Sequence, residues 1–201
     1  MVKDFYEGKP QMQEHSRHRA ASAWVARFAD AVPRGGVVLD VACGTGRNAR
    51  LFLERGYPVT ALDRYNAGVV DLLGRPDFAF IDANLELGRP FPTGEETFGC
   101  VVVTNYLHRP ILPAIVAAVA DGGILLYETF AEGNARFGPP QNPDFLLRPG
   151  ELLDAVAGKL EVIAYEHGEV AQPRPAMMQR ICALRPAGPG YSAARRLDGG
   201  V

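Results

Sequence analysis

The sequence predicts an α/β fold: a parallel sheet covered by helices on both faces. Two observations carry this expectation. Five apolar, β-rich runs are separated by segments of helix length, and residues 36–49 (G-V-V-L-D-V-A-C-G-T-G-R-N-A) read as a buried strand, a tight glycine turn and a helix start. Strands alternating with helix-length segments imply right-handed βαβ crossovers, which place parallel strands side by side.

Taken in order, residues 13–32 carry Ala20, Ala23, Trp24, Ala26, Phe28 and Val32 at helical spacing and stop at Pro33-Arg34-Gly35-Gly36. This predicts an N-terminal helical lid that packs on the sheet and covers a ligand. Val37, Val38 and Leu39 form a strand ending in Asp40. Gly44 and Gly46 make the turn, because residues without Cβ accept positive φ and let a ligand approach the backbone. A helix over 47–54 follows. Residues 58–62 are a second strand closed by Asp63, followed by a helix to about Leu73 that Gly74 and Pro76 stop. Residues 78–81 are a third strand leading into Asp82-Ala83-Asn84-Leu85-Glu86. The run 98–104 is the most β-rich in the chain. A helix over 111–120, a turn at Asp121-Gly122-Gly123 and a fifth strand over 124–127 come next. Residues 132–144 hold two glycines, three prolines and two asparagines, a loop longer than a simple connection needs. A helix over 149–157 and a closing hairpin of 160–165 with 177–184 complete one domain, residues 1–185. The Gly-, Ala- and Arg-rich stretch 186–201 reads as a flexible tail.

Composition narrows the function classes. A chain of 201 residues buries roughly 70% of its unfolded surface, enough for one full core. Hydrophobic residues make up 47%, charged residues 22%, and the formal charge is −2. That balance argues against a general nucleic-acid or anionic-membrane binder. No apolar run approaches the roughly 18 residues a membrane span needs, and the polar start M-V-K-D-F-Y-E-G-K is unlike a signal peptide. Cys43, Cys100 and Cys182 lack metal-ligand spacing. No metal and a cytoplasmic location are expected.

The glycine junction carries the chemistry. The first N–H groups of a helix have no partner within the helix and face a ligand held at its start. An acid closing the second strand, Asp63, can accept both hydroxyls of a ribose lying over the turn; it can also cap the helix expected after it. A nucleoside-containing cofactor follows. Gly44-Thr45-Gly46-Arg47-Asn48-Ala49 also satisfies the dinucleotide fingerprint, so an NAD(P)-binding reductase is one rival reading. Against it, Asp40 before the turn suits a cationic ligand better than a pyrophosphate, and no Tyr-x-x-x-Lys pair is present. A non-catalytic nucleotide-binding regulatory domain is the other rival.

The motif V-L-D-V-A-C-G-T-G followed by A-L-D resembles class I S-adenosylmethionine-dependent methyltransferases. The stretch L-D-V-A-C-G-T-G-R-N-A-R-L-F-L-E-R-G-Y-P-V-T-A-L-D is similar in particular to the tellurite-resistance type, which shares the C-G-x-G-R-N turn. The resemblance covers roughly residues 32–184. It implies a Rossmann-like, seven-stranded, mostly parallel sheet with an antiparallel last strand and helices on both faces. It also implies S-adenosyl-L-methionine as cofactor and a small-molecule methyl acceptor.

Residue by residue, the resemblance implies cofactor contacts at Asp40, Ala42, Gly44 and Gly46 around the turn and at Asp63 and Arg64 for the ribose. Adenine falls to Asp82 or Asn84, the latter standing where relatives commonly carry Asp. Asn105 and Tyr106 would meet the methionine part. Arg47 would reach the cofactor carboxylate or an anionic acceptor. Around the transferring methyl, His108, Glu128 and Tyr106 are the candidates for handling a proton; the bland alternative for His108 is a backbone-bonded helix start. The insertion 134–148 stands where the family places acceptor-binding elements, so Phe137, Asn142, Phe145 and Arg148 are candidates for an acceptor pocket, or else a packed surface loop. T-N-Y-L stands where amino-methylating DNA enzymes carry N-P-P-Y/F, so no nucleic-acid acceptor is expected. His15 and His18, three apart, read as a solvated helix face, and His167 has a weaker case still.

Overall fold

A computed structural model of the chain describes residues 20–188. Seven strands form one sheet: β1 (Val38–Val41), β2 (Val59–Asp63), β3 (Phe78–Asp82), β4 (Phe98–Thr104), β5 (Val119–Phe130), β6 (Glu161–Val170) and β7 (Ala176–Leu184). Their order is β3-β2-β1-β4-β5-β7-β6. The first five pair in parallel, and β7 runs antiparallel to both β5 and β6. This is the expected seven-stranded Rossmann-like sheet. The chain steps outward from β1 through β2 to β3, then crosses back to place β4 on the other side of β1. Strand order therefore reverses between β1 and β4, and in open α/β sheets the crevice at the carboxyl ends of two such strands is where ligands bind.

Both faces of the sheet are buried because the strand side chains alternate between two apolar layers. Leu39, Val41, Val101 and Val103 face helices α3 (Leu112–Ala117) and α4 (Glu151–Val156). Val38, Cys100, Val102 and Leu126 face α1 (Ala23–Phe28) and α2 (Arg47–Glu54). Ser22 caps α1 by accepting the Val25 N–H, and the Trp24 indole donates to the Ile181 carbonyl at 3.1 Å, which locks α1 onto β7.

Several elements differ from the sequence expectation. The N-terminal helix begins only at Ala23 and closes in a 3₁₀ turn over Ala29–Ala31; residues 13–19 of the expected lid, with His15 and His18, lie outside the described residues. The helix expected after β2 is absent as an α-helix. A 3₁₀ turn over Val70–Leu72 replaces it, so Asp63 caps no helix. The physical cause is Gly68: a Cβ there would lie 2.2 Å from the Gly44 carbonyl oxygen and 2.6 Å from the Thr45 Cα, so this segment is pinned backbone to backbone against the glycine turn. The helix expected over 111–120 is a 3₁₀ turn (Arg109–Ile111) running into the six-residue α3. Strand β5 is longer than the expected 124–127. Pairing skips from Phe98↔Val119 to Cys100↔Ile124, so the Asp121-Gly122-Gly123 turn is a bulge within the strand. The outer hairpin likewise extends to Val170 and starts again at Ala176. Of the expected tail, Pro186 to Gly188 are described and lie outside any strand or helix.

Candidate active site

Two non-glycine residues with positive φ flank the reversal point: Ala42 (φ 54) directly after β1 and Asn105 (φ 56) directly after β4. Such backbone is costly for residues with a Cβ and persists where surrounding structure enforces it, often at ligand sites. Here the enforcement is visible. Cys43 N–H donates to the Leu62 carbonyl and Asn105 N–H to the Glu128 carbonyl, each reaching a neighbouring strand.

The glycine turn is held from below and from one side. Asp40 lies at 1% exposure beneath α2, and its carboxylate accepts the Ala49 N–H at 3.1 Å. It thus satisfies a first-turn N–H of α2, whose preceding residue, Gly46 in the left-handed region, has no side chain to do so. Burial pushes the Asp40 carboxyl up to about 7, opposed by the Ala49 hydrogen bond and by Arg47. From the side, Asp63 accepts the Gly44 N–H at 2.8 Å through one oxygen and the Tyr65 N–H at 3.2 Å through the other. A Cβ on Gly44 would meet nothing within 4 Å among the described residues, so this turn presents bare backbone to open space there. A Cβ on Gly46 would strike Val69 at 2.6 Å; that glycine serves packing.

At the end of β3, Asp82 pairs in register with Asp63 and is exposed, while the Asn84 side chain accepts the Glu86 N–H at 3.0 Å within its own turn. Both line a cavity of about 210 Å³ together with Leu85, Arg89, Phe91 and Ile111. Arg64 stacks over Tyr65. Tyr106 is half-buried near Glu86, Asp63 and Arg64; its hydroxyl is sequestered from solvent without a hydrogen-bond partner among the described residues, and burial raises it well above the usual phenol range. Its carbonyl accepts the Tyr127 hydroxyl at 2.9 Å.

A row of polar side chains crosses the sheet on the α1/α2 face: Thr104 on β4 pairs with Glu128 on β5, Glu128 with Arg180 on β7, and Arg180 with Glu166 on β6. Glu128 is buried with one oxygen 3.1 Å from Arg180 and the other 4.0 Å from Arg47. The row continues through Glu166 to the exposed Arg27. At its inner end Asn48, at 2% exposure, donates to the Thr104 hydroxyl and accepts the Ser22 N–H, both at 3.0 Å. A second cavity of about 220 Å³ opens at the hairpin, lined by Glu166, His167, Met178 and Arg180 among others. The sequence does not reveal Ser22 and Asn48 as a buried hydrogen-bonded pair, nor Arg180 as the partner of Glu128. Asn48 directly follows Arg47 in the turn motif, but its burial depends on which way α2 faces.

The candidate acceptor residues do not converge in this structure. Phe137 stacks under Arg136, Asn142 caps its own 3₁₀ turn through the Asp144 N–H, Phe145 is 37% exposed, and Arg148 pairs with Glu151. His108 is part-exposed at the start of the 3₁₀ turn Arg109–Ile111 and offers its carbonyl to the Ile111 N–H. Among the described residues no group of three or more His, Cys, Asp or Glu side chains is placed to hold a metal ion, the three cysteines are buried and form no disulfide, and no helix is long and apolar enough to cross a membrane.

Residues 12–172 match the methyltransferase-domain family. The chain belongs to that family. No curated protein matches it in sequence. The fold of this methyltransferase-family chain is shared with TehB from Haemophilus influenzae at 19% identity and a TM-score of 0.67, covering 87% of this chain and 65% of that one. The chain thus spans less than two thirds of that protein's length. It is also similar to a 1,6-didemethyltoxoflavin-N1-methyltransferase from Burkholderia thailandensis, solved with 1,6-didemethyltoxoflavin and S-adenosylhomocysteine bound (19% identity, TM-score 0.63, 92% of this chain and 85% of that one). A TehB-like methyltransferase from Corynebacterium glutamicum superposes at 16% identity with a TM-score of 0.60, over 88% of this chain and 100% of that one.

Proposed function

We propose that this chain transfers the methyl group of S-adenosylmethionine to a small-molecule acceptor and releases S-adenosylhomocysteine. One observation carries the reading: at the strand-reversal point the bare backbone of Gly44 faces open space while its N–H is held by Asp63. Membership in the methyltransferase-domain family sets aside the reductase reading. In this assignment Asp63 takes the ribose hydroxyls with the oxygen lone pairs its two backbone partners leave free. Asp82 and Asn84 stand beside the 210 Å³ cavity for adenine. Asn84 already uses its amide oxygen locally, which leaves its amide N–H free to donate to a ring nitrogen. Ala42, Arg64, Asn105 and Tyr106 surround the remainder, and the orphaned Tyr106 hydroxyl gains a partner when the site fills.

The reaction needs alignment more than acid–base power. A lone pair of the acceptor attacks the methyl carbon, the carbon–sulfur bond breaks, and its electrons neutralise the sulfonium. Where the acceptor must also lose a proton, His108 is the better placed base, because both Glu128 oxygens already face guanidinium groups. Glu128 then orients Arg47, which also donates to the Ala20 carbonyl at 3.4 Å. The Burkholderia neighbour, named for a heterocyclic substrate, supports a small acceptor. Titration with S-adenosylhomocysteine and, separately, NADH tests the proposal: micromolar binding of the first and none of the second is expected. The reverse result refutes it.

A further inference from the structure

Arg109 is neither a cofactor contact nor an acceptor candidate in the reading above, yet its guanidinium is the most fully engaged in the described chain. Nε donates to Glu151 Oε1 at 2.7 Å and Nη2 to Glu151 Oε2 at 2.9 Å, a two-pronged clamp on a buried carboxylate. Nη1 donates to the Asp144 carbonyl at 2.9 Å, and Nη2 also donates to the Leu146 carbonyl at 2.8 Å. Planar, charge-assisted forks of this kind fix geometry as well as supplying energy. The Glu151 carboxyl, although burial alone would raise it, is held below its usual range by Arg109 and by the Arg148 N–H.

The two ends of this clamp belong to different parts of the site. Arg109 directly follows His108 and lies three residues after Tyr106, in the loop that leaves β4. Its partners lie in and just beyond the insertion after β5. The insertion is anchored at its base rather than loose: Asn134 accepts the Met177 N–H and donates to the Gly138 and Pro140 carbonyls, and Gln179 donates to the Arg148 carbonyl. Leu147 and Phe130 complete the anchoring through backbone bonds. The insertion is therefore an arch fixed at its base to β5 and β7; Arg136 pairs with Glu169 on β6, Arg174 donates to the Pro139 carbonyl at 3.0 Å, and Arg109 ties the arch to the loop that leaves β4.

We propose that Arg109 is a positioning residue: it registers the arch 134–148 against the Tyr106–His108 loop, so that filling the cofactor site orders the arch over which the acceptor enters. This rests on the methyltransferase reading above. The test is hydrogen–deuterium exchange of the full chain with and without saturating S-adenosylhomocysteine, in wild type, Arg109→Lys and Glu151→Gln, with affinity and melting temperature measured for each. In wild type the ligand is expected to slow exchange both in 104–109 and in 142–148. Arg109→Lys, which keeps the charge but loses the fork, is expected to keep ligand protection in 104–109 and lose about tenfold of it in 142–148. Glu151→Gln, which keeps one acceptor oxygen, should fall between. A merely structural clamp would lower the melting temperature but leave the ligand-induced protection of 142–148 intact, and that outcome overturns the proposal. Absence of any S-adenosylhomocysteine binding in wild type overturns the cofactor reading itself, and the proposal with it.

Discussion

Gly44 donates its backbone N–H to the Asp63 carboxylate across 2.8 Å, so the turn after β1 and the end of β2 form a single unit. Asp63→Ala removes both the carboxylate that a ribose would use and the group that orients the turn. Hydrogen bonds to charged groups contribute about 1.5 to 3 kcal/mol, so S-adenosylhomocysteine affinity should fall by about one to two factors of ten. Calorimetry with Asp63→Ala and Asp63→Asn checks this; unchanged affinity in both removes Asp63 from the site.

The glycines of this region have separable roles. Gly44→Ala places a Cβ in open space at φ +56, at a strain of about 1 kcal/mol, and the chain should still fold. Gly44→Val adds branches where the ligand lies and should abolish binding in a folded protein. Gly68→Ala instead drives a Cβ to 2.2 Å from the Gly44 carbonyl and must displace the turn itself. It should lower both melting temperature and affinity. A Gly68→Ala protein that binds as wild type does would show that this contact relaxes without consequence.

These roles bear on how much the sequence reveals. The strand, turn and helix at 36–54 were legible because apolar run, glycine spacing and helical pattern all agree there. The region after β2 was not, because Val69, Val70, Leu72 and Leu73 give a helical apolar pattern while the decisive contact, Gly68 on Gly44 and Thr45, is tertiary. The β5 bulge misled in the same way: a Cβ on Gly123 would lie 2.8 Å from the Ala120 and Phe98 carbonyls, a strand crossing that local sequence reads as a turn. The strand-end positions of Asp63, Tyr106 and Glu128 are legible because each ends or follows an apolar strand. Arg180 and Asn48 were not, since what makes them matter is cross-strand register and helix facing.

Asp40 makes stability depend on pH. Burial raises its folded value to about 7 from the usual 3.8. For an acid raised on folding, the protonated form favours the fold, so its contribution is full below about pH 4 and is lost as pH climbs through 7. At 1.36 kcal/mol per unit, the loss is on the order of 4 kcal/mol at most. Asp40→Asn keeps an oxygen for the Ala49 N–H and has nothing to titrate. It should therefore be more stable than wild type at pH 8 and lose more than half of that advantage by pH 5. Thermal melts at the two values decide; parallel pH responses would assign the dependence to another group.

The charged row from Glu128 to Arg27 should show a steep gradient in energetic weight. At its outer end the Arg27–Glu166 pair is roughly half exposed (46% and 47%), where ion pairs contribute about 0 to 1 kcal/mol. Arg27 also lies over the Trp24 and Phe28 rings, which adds a similar amount. Arg27→Ala should thus cost about 1 kcal/mol. At the inner end, Glu128 and Arg180 are only 7% and 18% exposed. Arg180→Ala leaves the Glu128 carboxylate buried with only Arg47, 4.0 Å away, as its cationic partner in the row. Removing one member of a buried pair costs about 3 to 5 kcal/mol, mostly as the penalty on the charge left behind. Neutralising that charge should recover much of it, so Glu128→Gln combined with Arg180→Ala is expected to be more stable than Arg180→Ala alone. Denaturant unfolding of the two single variants and the double gives the coupling directly. A double variant as unstable as the sum of the singles would mean that Glu128 and Arg180 act independently, and that Glu128 is free to serve as a base after all.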